Sequence, residues 1–222
     1  MLVCSSSHLR RLAYASVTVL VFASCNDSSG SSLAGLGDEF DIAALSDAVQ
    51  RLCGEAECSD YSQSECEFYL RYDSLVWARL TQKPDTCLSA LTTELNCLAE
   101  AGSCHEESCY APDDACELVT EVPEILVPEA LAPTQTACEW LADCEVVRFD
   151  AERDFAIAEC QADLVSRAEI FQHDRGPGCA QQFIDFIVCI GQADLSCDAD
   201  GDDEDVACPA ESTAYYETCF PG

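Results

Sequence analysis

Positive charge is what this sequence has least of. Its 222 residues hold ten lysines and arginines against 42 aspartates and glutamates, a formal net charge of −32. Arg10 and Arg11 precede the first acid, which leaves eight basic residues for everything after them. A body this anionic repels phosphate backbones, so neither nucleic acid nor an anionic lipid surface is expected as a partner. Acid of this density keeps an apolar-rich chain soluble, and it also attracts cations.

The marks of catalysis are scarce as well. Histidine occurs three times, at His8, His105 and His173, and the chain has no Gly-x-Ser-x-Gly elbow, phosphate-binding glycine loop or His-Glu-x-x-His pair. Cys-x-x-Cys is missing too, which removes the usual signature of thioredoxin-like redox work and of structural zinc. Two opposed carboxylates could hydrolyse a glycoside, but 42 acids single out no pair. The expectation is a protein that is not an enzyme, with an acid-residue hydrolase as the remaining catalytic alternative. The longest apolar run, residues 12–23, is also too short to span a bilayer, which takes about twenty helical residues.

Cysteine is what the chain has in excess: 18 residues, 16 of them after position 50. Cytosolic thiols stay reduced, so this density places the chain in an oxidising compartment and predicts disulfides rather than metal ligands. The cysteines fall in two matching series. Cys53, Cys58, Cys66, Cys87, Cys97, Cys104, Cys109 and Cys116 stand opposite Cys138, Cys144, Cys160, Cys179, Cys189, Cys197, Cys208 and Cys219. Nine residues separate Cys87 from Cys97, and nine separate Cys179 from Cys189. Eight per series suits a closed disulfide set in each, with partners left open by the sequence. The series span 64 and 82 residues, and domains so small bury only about 60% of their chain surface. Covalent staples are therefore expected, each adding on the order of 3 kcal/mol by the chain-entropy account.

Periodicity predicts helices throughout the folded part. Leu45, Ala48, Val49 and Leu52 recur at helical spacing behind a cap at Asp38 or Asp41. A second helix is expected over residues 64–81, with Cys66, Leu70, Trp77 and Leu80 on its inward stripe. Lys83-Pro84-Asp85 breaks it and opens a third helix carrying Leu88, Leu91, Leu95 and Leu98, which runs out at Gly102. A short helical segment is expected near residues 113–119. Residues 120–133, punctuated by Pro123, Pro128 and Pro133, read as an extended link whose Ile125, Leu126 and Val127 pack on a neighbouring helix.

The second series begins near Thr134 or Thr136 with a short helix holding Cys138, Trp140, Leu141 and Cys144. A longer helix over residues 150–173 turns Ile157, Cys160, Leu164, Ala168 and Phe171 inward and Glu152, Arg153, Glu159 and Arg167 outward. Gly176-Pro177-Gly178 stops it. The next helix places Cys179, Phe183, Phe186, Ile190 and Ala193 on one stripe, and a last segment ends at Cys219. Ten residues along a helix are about 15 Å, and a disulfide needs Cα atoms within about 7 Å. Cys87 therefore cannot bond Cys97, nor Cys179 bond Cys189. Each repeat helix must be stapled at both ends to other segments.

One loop is a candidate metal site. Asp198, Asp200, Asp202, Asp203 and Asp205 supply the oxygens calcium wants. Counted from Asp198, however, the sixth and twelfth positions are Asp203 and Pro209, where an EF-hand loop needs glycine and glutamate. The loop reads first as a solvated insertion, with no cofactor expected and calcium as the alternative.

The N-terminus carries its own signal. His8, Arg10 and Arg11 precede the apolar run, as in a secretory signal peptide. The run ends in Phe22-Ala23-Ser24-Cys25, which resembles the lipobox of bacterial lipoproteins, with Phe22 where that pattern prefers leucine. The resemblance implies cleavage before Cys25 and lipid on its sulfur; cleavage after Ala23, giving a secreted chain, is the alternative. Residues 26–37 read as a Ser/Gly tether. With the paired cysteine series and the acidic body, the leader is similar to the cysteine-rich lipoproteins of myxobacteria and their relatives, most of which have no assigned function.

The expectation is thus an all-α protein of two tandem disulfide-stapled helical modules. Its divisions are a signal peptide (1–24), a tether (25–37), a first module (38–119), a proline-rich link (120–133) and a second module (134–222). It would be anchored to a bacterial envelope through lipid on Cys25, facing periplasm or exterior. Its role would be structural or interactive, toward an unidentified protein or surface ligand, with cation binding as the alternative.

Overall fold

A computed structural model describes Leu36 and residues 40–55, 62–103, 106–112, 114–118, 122–149, 152–193, 195–197 and 205–220. Seven α-helices longer than one turn are named here: α1 (Ile42–Glu55), α2 (Gln63–Arg79), α3 (Pro84–Ala101), α4 (Gln135–Phe149), α5 (Arg153–Arg175), α6 (Pro177–Gln192) and α7 (Pro209–Cys219). The described residues form no strand, and the one β-type contact is an isolated bridge between Thr81 and Leu118. The fold is all-α and disulfide-stapled. No described helix is long and apolar enough to cross a membrane.

Local chemistry sets the helix ends. Asp41 caps α1 by accepting a hydrogen bond from the Ala44 amide at 3.1 Å. Ser62 and Glu65 form a reciprocal capping box at the start of α2, so that helix begins at Gln63. Pro84 opens α3 and Pro177 opens α6, where proline's missing N–H costs nothing. Gly102, at φ 60°, ends α3 in the left-handed conformation that favours glycine.

The predicted stripes meet in two clusters. In the first half Leu45, Ala48, Val49, Leu52, Leu88, Leu95 and Leu98 are all buried together. In the second, Cys160, Leu164, Ala168, Phe171, Cys179, Phe183, Phe186 and Ile190 are. Helix α1 packs on α2 and α3, α4 packs on α5 and α6, and α7 packs on α6. Contact between α2 and α5 joins the halves.

Seven disulfides staple these helices: Cys53–Cys66, Cys87–Cys116, Cys97–Cys109, Cys138–Cys160, Cys144–Cys197, Cys179–Cys219 and Cys189–Cys208. Both α3 and α6 are pinned at each end to other segments, as the helix rise requires. Counted by position in each series, the second half joins first to third, second to sixth, fourth to eighth and fifth to seventh. The three described bridges of the first half follow the same order. Cys58 and Cys104 lie outside the described residues.

Several expectations are corrected. Leu36, expected in the tether, is 2% exposed within the second core, and its carbonyl accepts from Gln172 Nε2 at 3.0 Å. Leu36 therefore belongs to the folded body and not to a tether. In the proline-rich link, residues 122–128 are extended but Glu129–Thr134 form a 3₁₀ helix whose Leu131 is buried. Ile125 and Val127 pack inward as expected, whereas Leu126 is 68% exposed, because an extended path alternates its side chains. Residues 114–116 make a turn, too short to build a helix between Cys109 and Cys116.

The surrounding of α5 differs most. It was expected to keep a charged outer face, and Glu152 and Arg153 are exposed, but Glu159 and Arg167 are half-buried and Glu169 is buried. With α2, α4 and α6 all packed on it, this helix has little outer face left. On α2 the predicted Leu70 and Trp77 are only half-buried, while Arg71, Ser74, Leu75, Val76 and Arg79 are buried. Helix α2 is enclosed from two sides, which a single apolar stripe cannot show.

Candidate functional site

The densest polar chemistry among the described residues lies in the seam between α2 and α5. Arg71 and Arg79 are eight residues apart on α2, a little over two turns, and so point toward the same neighbour. Arg79 Nη2 meets Glu169 Oε2 at 2.6 Å, with the two side chains 2% and 1% exposed. Its Nη1 donates to Ser166 Oγ at 2.9 Å, and its guanidinium sits 4.6 Å from the centre of the Phe40 ring. Ser166 in turn donates to the Ala162 carbonyl, so its hydroxyl is held in place.

One end of the seam is closed by a fork. Arg71 gives both terminal nitrogens to the two Asp174 oxygens at 2.7 Å each, the geometry only arginine supplies. His173 Nδ1 lies 2.8 Å from Asp174 Oδ1. Burial alone would raise the Asp174 pKa, but hydrogen bonds from His173 and Arg71, with their charges, outweigh it and hold the carboxyl at about 2. Elsewhere in the seam Tyr72 donates to Asp163, which also accepts from Arg167 Nε at 3.0 Å, while Arg167 stacks 5.0 Å over the Tyr72 ring. Burial first, then the Asp163 carboxylate, push the Tyr72 phenol well above its ordinary pKa.

Each charged side chain in this seam is turned on a partner in the other half or beside it. Ion pairs so enclosed orient and select a docking geometry more than they add stability, because desolvation offsets much of the attraction. The arrangement fixes one half against the other.

The residues singled out from the sequence fall elsewhere. Cys25, His8, His105, Asp198, Asp200, Asp202 and Asp203 lie outside the described residues. Asp205 is described, and its Oδ1 accepts from Ser212 Oγ at 2.6 Å, tying the end of the acidic loop to α7. Among the described residues no three histidine, cysteine, aspartate or glutamate side chains cluster closely enough to hold a metal ion. His173 is 42% exposed and engaged with Asp174. The seam residues escaped the sequence reading because arginine and glutamate on a helix are ordinarily solvated. Scarcity was the one usable signal: two of only eight basic residues beyond the leader fall on one helix face.

Set against family models, curated proteins and solved structures, the chain matches none.

Proposed function

We propose that the chain is an envelope lipoprotein, held by lipid on Cys25, whose folded part serves a structural or binding role on the periplasmic or outer face and carries out no catalysis. Disulfide content sets the compartment: fourteen cysteines joined in seven bridges belong to an oxidising environment. The observation that carries the reading is the seat of Leu36. Leu36 is buried in the folded body eleven residues after a cysteine set in a lipobox-like sequence, so a lipid on that cysteine would lie close to the body in sequence. The paired cysteine series supports a body made of two copies of one module. Buried, paired charges between the copies give it one shape to present to a partner.

Intact-mass spectrometry of the native protein tests this. A mass beginning at Cys25 with a diacylglycerol adduct, and sixteen hydrogens missing for eight disulfides, is the expected result. A chain beginning at Ser24 without lipid would replace the anchored reading by a secreted one. Free thiols would reopen metal binding.

A further inference from the structure

We infer that one pole of the body is its membrane-facing side, resting on the bilayer through exposed rings; this builds on the anchored reading above. The pole is defined by the seat of Leu36, the first residue described. Gln172 holds the Leu36 carbonyl near the C-terminal end of α5. The start of α6 and the end of α7 meet at the same place, since Cys179 is bonded to Cys219 and a Cβ on Gly178 would lie 3.8 Å from the Thr218 methyl.

Aromatic rings gather there. Phe220 lies 6.3 Å from Phe171 and 6.2 Å from Tyr216, and Phe68, beside Tyr69, lies 6.3 Å from the other side of Phe171. Tyr69 and Tyr216 are exposed and Phe220 is half-buried. Rings with one apolar and one wet side are the residues that settle at the headgroup level of a bilayer.

The leash decides the occupant. Ten residues separate Cys25 from Leu36, and even fully extended they reach about 35 Å. Lipid on Cys25 therefore keeps this pole within that reach of the bilayer, at an effective concentration in the millimolar range. A ring contact too weak to hold the free protein on a vesicle is populated under that confinement.

Hydroxyl-radical footprinting reads the contact directly. The acylated protein on phosphatidylcholine vesicles is compared with the unacylated chain beginning at Asn26 in solution. Val206 serves as the internal reference: it is 80% exposed and lies by Cys208, at the opposite end of α6. Oxidation of Tyr69, Tyr216 and Phe220 relative to Val206 should fall about threefold on the vesicles, as rings at the headgroup level lose water. In the double variant Tyr69→Ser/Tyr216→Ser, protection of Phe220 should disappear. Unchanged oxidation with lipid confirmed on Cys25 by mass would overturn the membrane-facing pole alone. Absence of the lipid would overturn the anchored reading and this inference with it. Equal protection in the unacylated chain as its concentration rises would make the occupant a second copy, which also overturns it.

Discussion

The two halves carry the same cystine order and fill it with different chemistry. In the second half Phe186, seven residues after the first cysteine of its helix, stacks at 5.8 Å on Tyr215 of α7. The same position in the first half is Glu94, which is also buried but accepts a hydrogen bond from the Ala111 amide at 3.0 Å. Tyr215 and Ala111 both lie between the last two cysteines of their series. A helix covers the second half at that point, a loop covers the first, and the buried side chain beneath each matches its cover. The cystines set the path; the filler is free to differ.

Helix approach differs in the same way. Two residues past the second cysteine of the repeat helix stands Ala99 in the first half and Gly191 in the second. A Cβ on Gly191 would come within 2.5 Å of the Ala137 backbone nitrogen. Helices α4 and α6 therefore touch nearly backbone to backbone. Ala137 itself takes the place that Leu52 holds in the first half.

Disturbing the seam between the halves should have the largest effect on stability. Arg79→Ala takes the guanidinium away from the buried Glu169 carboxylate, which should cost about 3–5 kcal/mol, read from the urea midpoint of the oxidised protein. The double variant Arg79→Met/Glu169→Leu should recover most of that, because it removes both charges rather than one. A double variant as unstable as the single would show that the seam depends on the charges themselves.

The matched fillers come next. Phe186→Ala should lose about 3–5 kcal/mol through the cavity it opens, while Glu94→Ala, which frees one backbone amide, should lose only about 1–3. Equal losses would mean that the two covers are energetically alike and that the contrast drawn here is wrong.

Acid tests the fork at the end of the seam. The folded pKa of Asp174, about 2, lies below its unfolded value near 3.9. Its share of stability is therefore complete above about pH 5 and is lost as pH falls toward 2, a contribution of about 2–3 kcal/mol at most. Asp174→Asn should flatten the acid limb of stability over that window, leaving the midpoint at neutral pH lower. A limb unchanged by Asp174→Asn would assign the acid sensitivity to other carboxylates. Gly191→Ala comes last, at about 1–3 kcal/mol, since α4 must move away from α6 to admit the methyl group. The corresponding Ala99→Gly should cost less than that, about 1 kcal/mol from backbone entropy in a helix.

Much of this fold can be read along the chain. The leucine stripe of α3, the phenylalanine stripe of α6 and the dual pinning of both helices follow from spacing and from the reach of a disulfide. The capping box of Ser62 and Glu65, which the spacing of apolar residues does not bring out, fixes the start of α2 at Gln63. The seam could not be read in that way. Arg71 and Arg79 count as solvated until a second helix is known to cover them, and that helix lies about ninety residues further on. Leu36 is hidden for a related reason: in a stretch rich in serine and glycine it looks like linker until a core residue 136 positions away claims it. Local pattern records which face of a helix is apolar. It does not record how many neighbours a helix has.

The shared cystine order is the centre of the account, and non-reducing peptide mapping tests it most directly. Four bridges per half are expected, joining first to third, second to sixth, fourth to eighth and fifth to seventh, with Cys58 linked to Cys104 as Cys144 is to Cys197. A bridge running from one half to the other, or Cys58 and Cys104 recovered as free thiols, would contradict it.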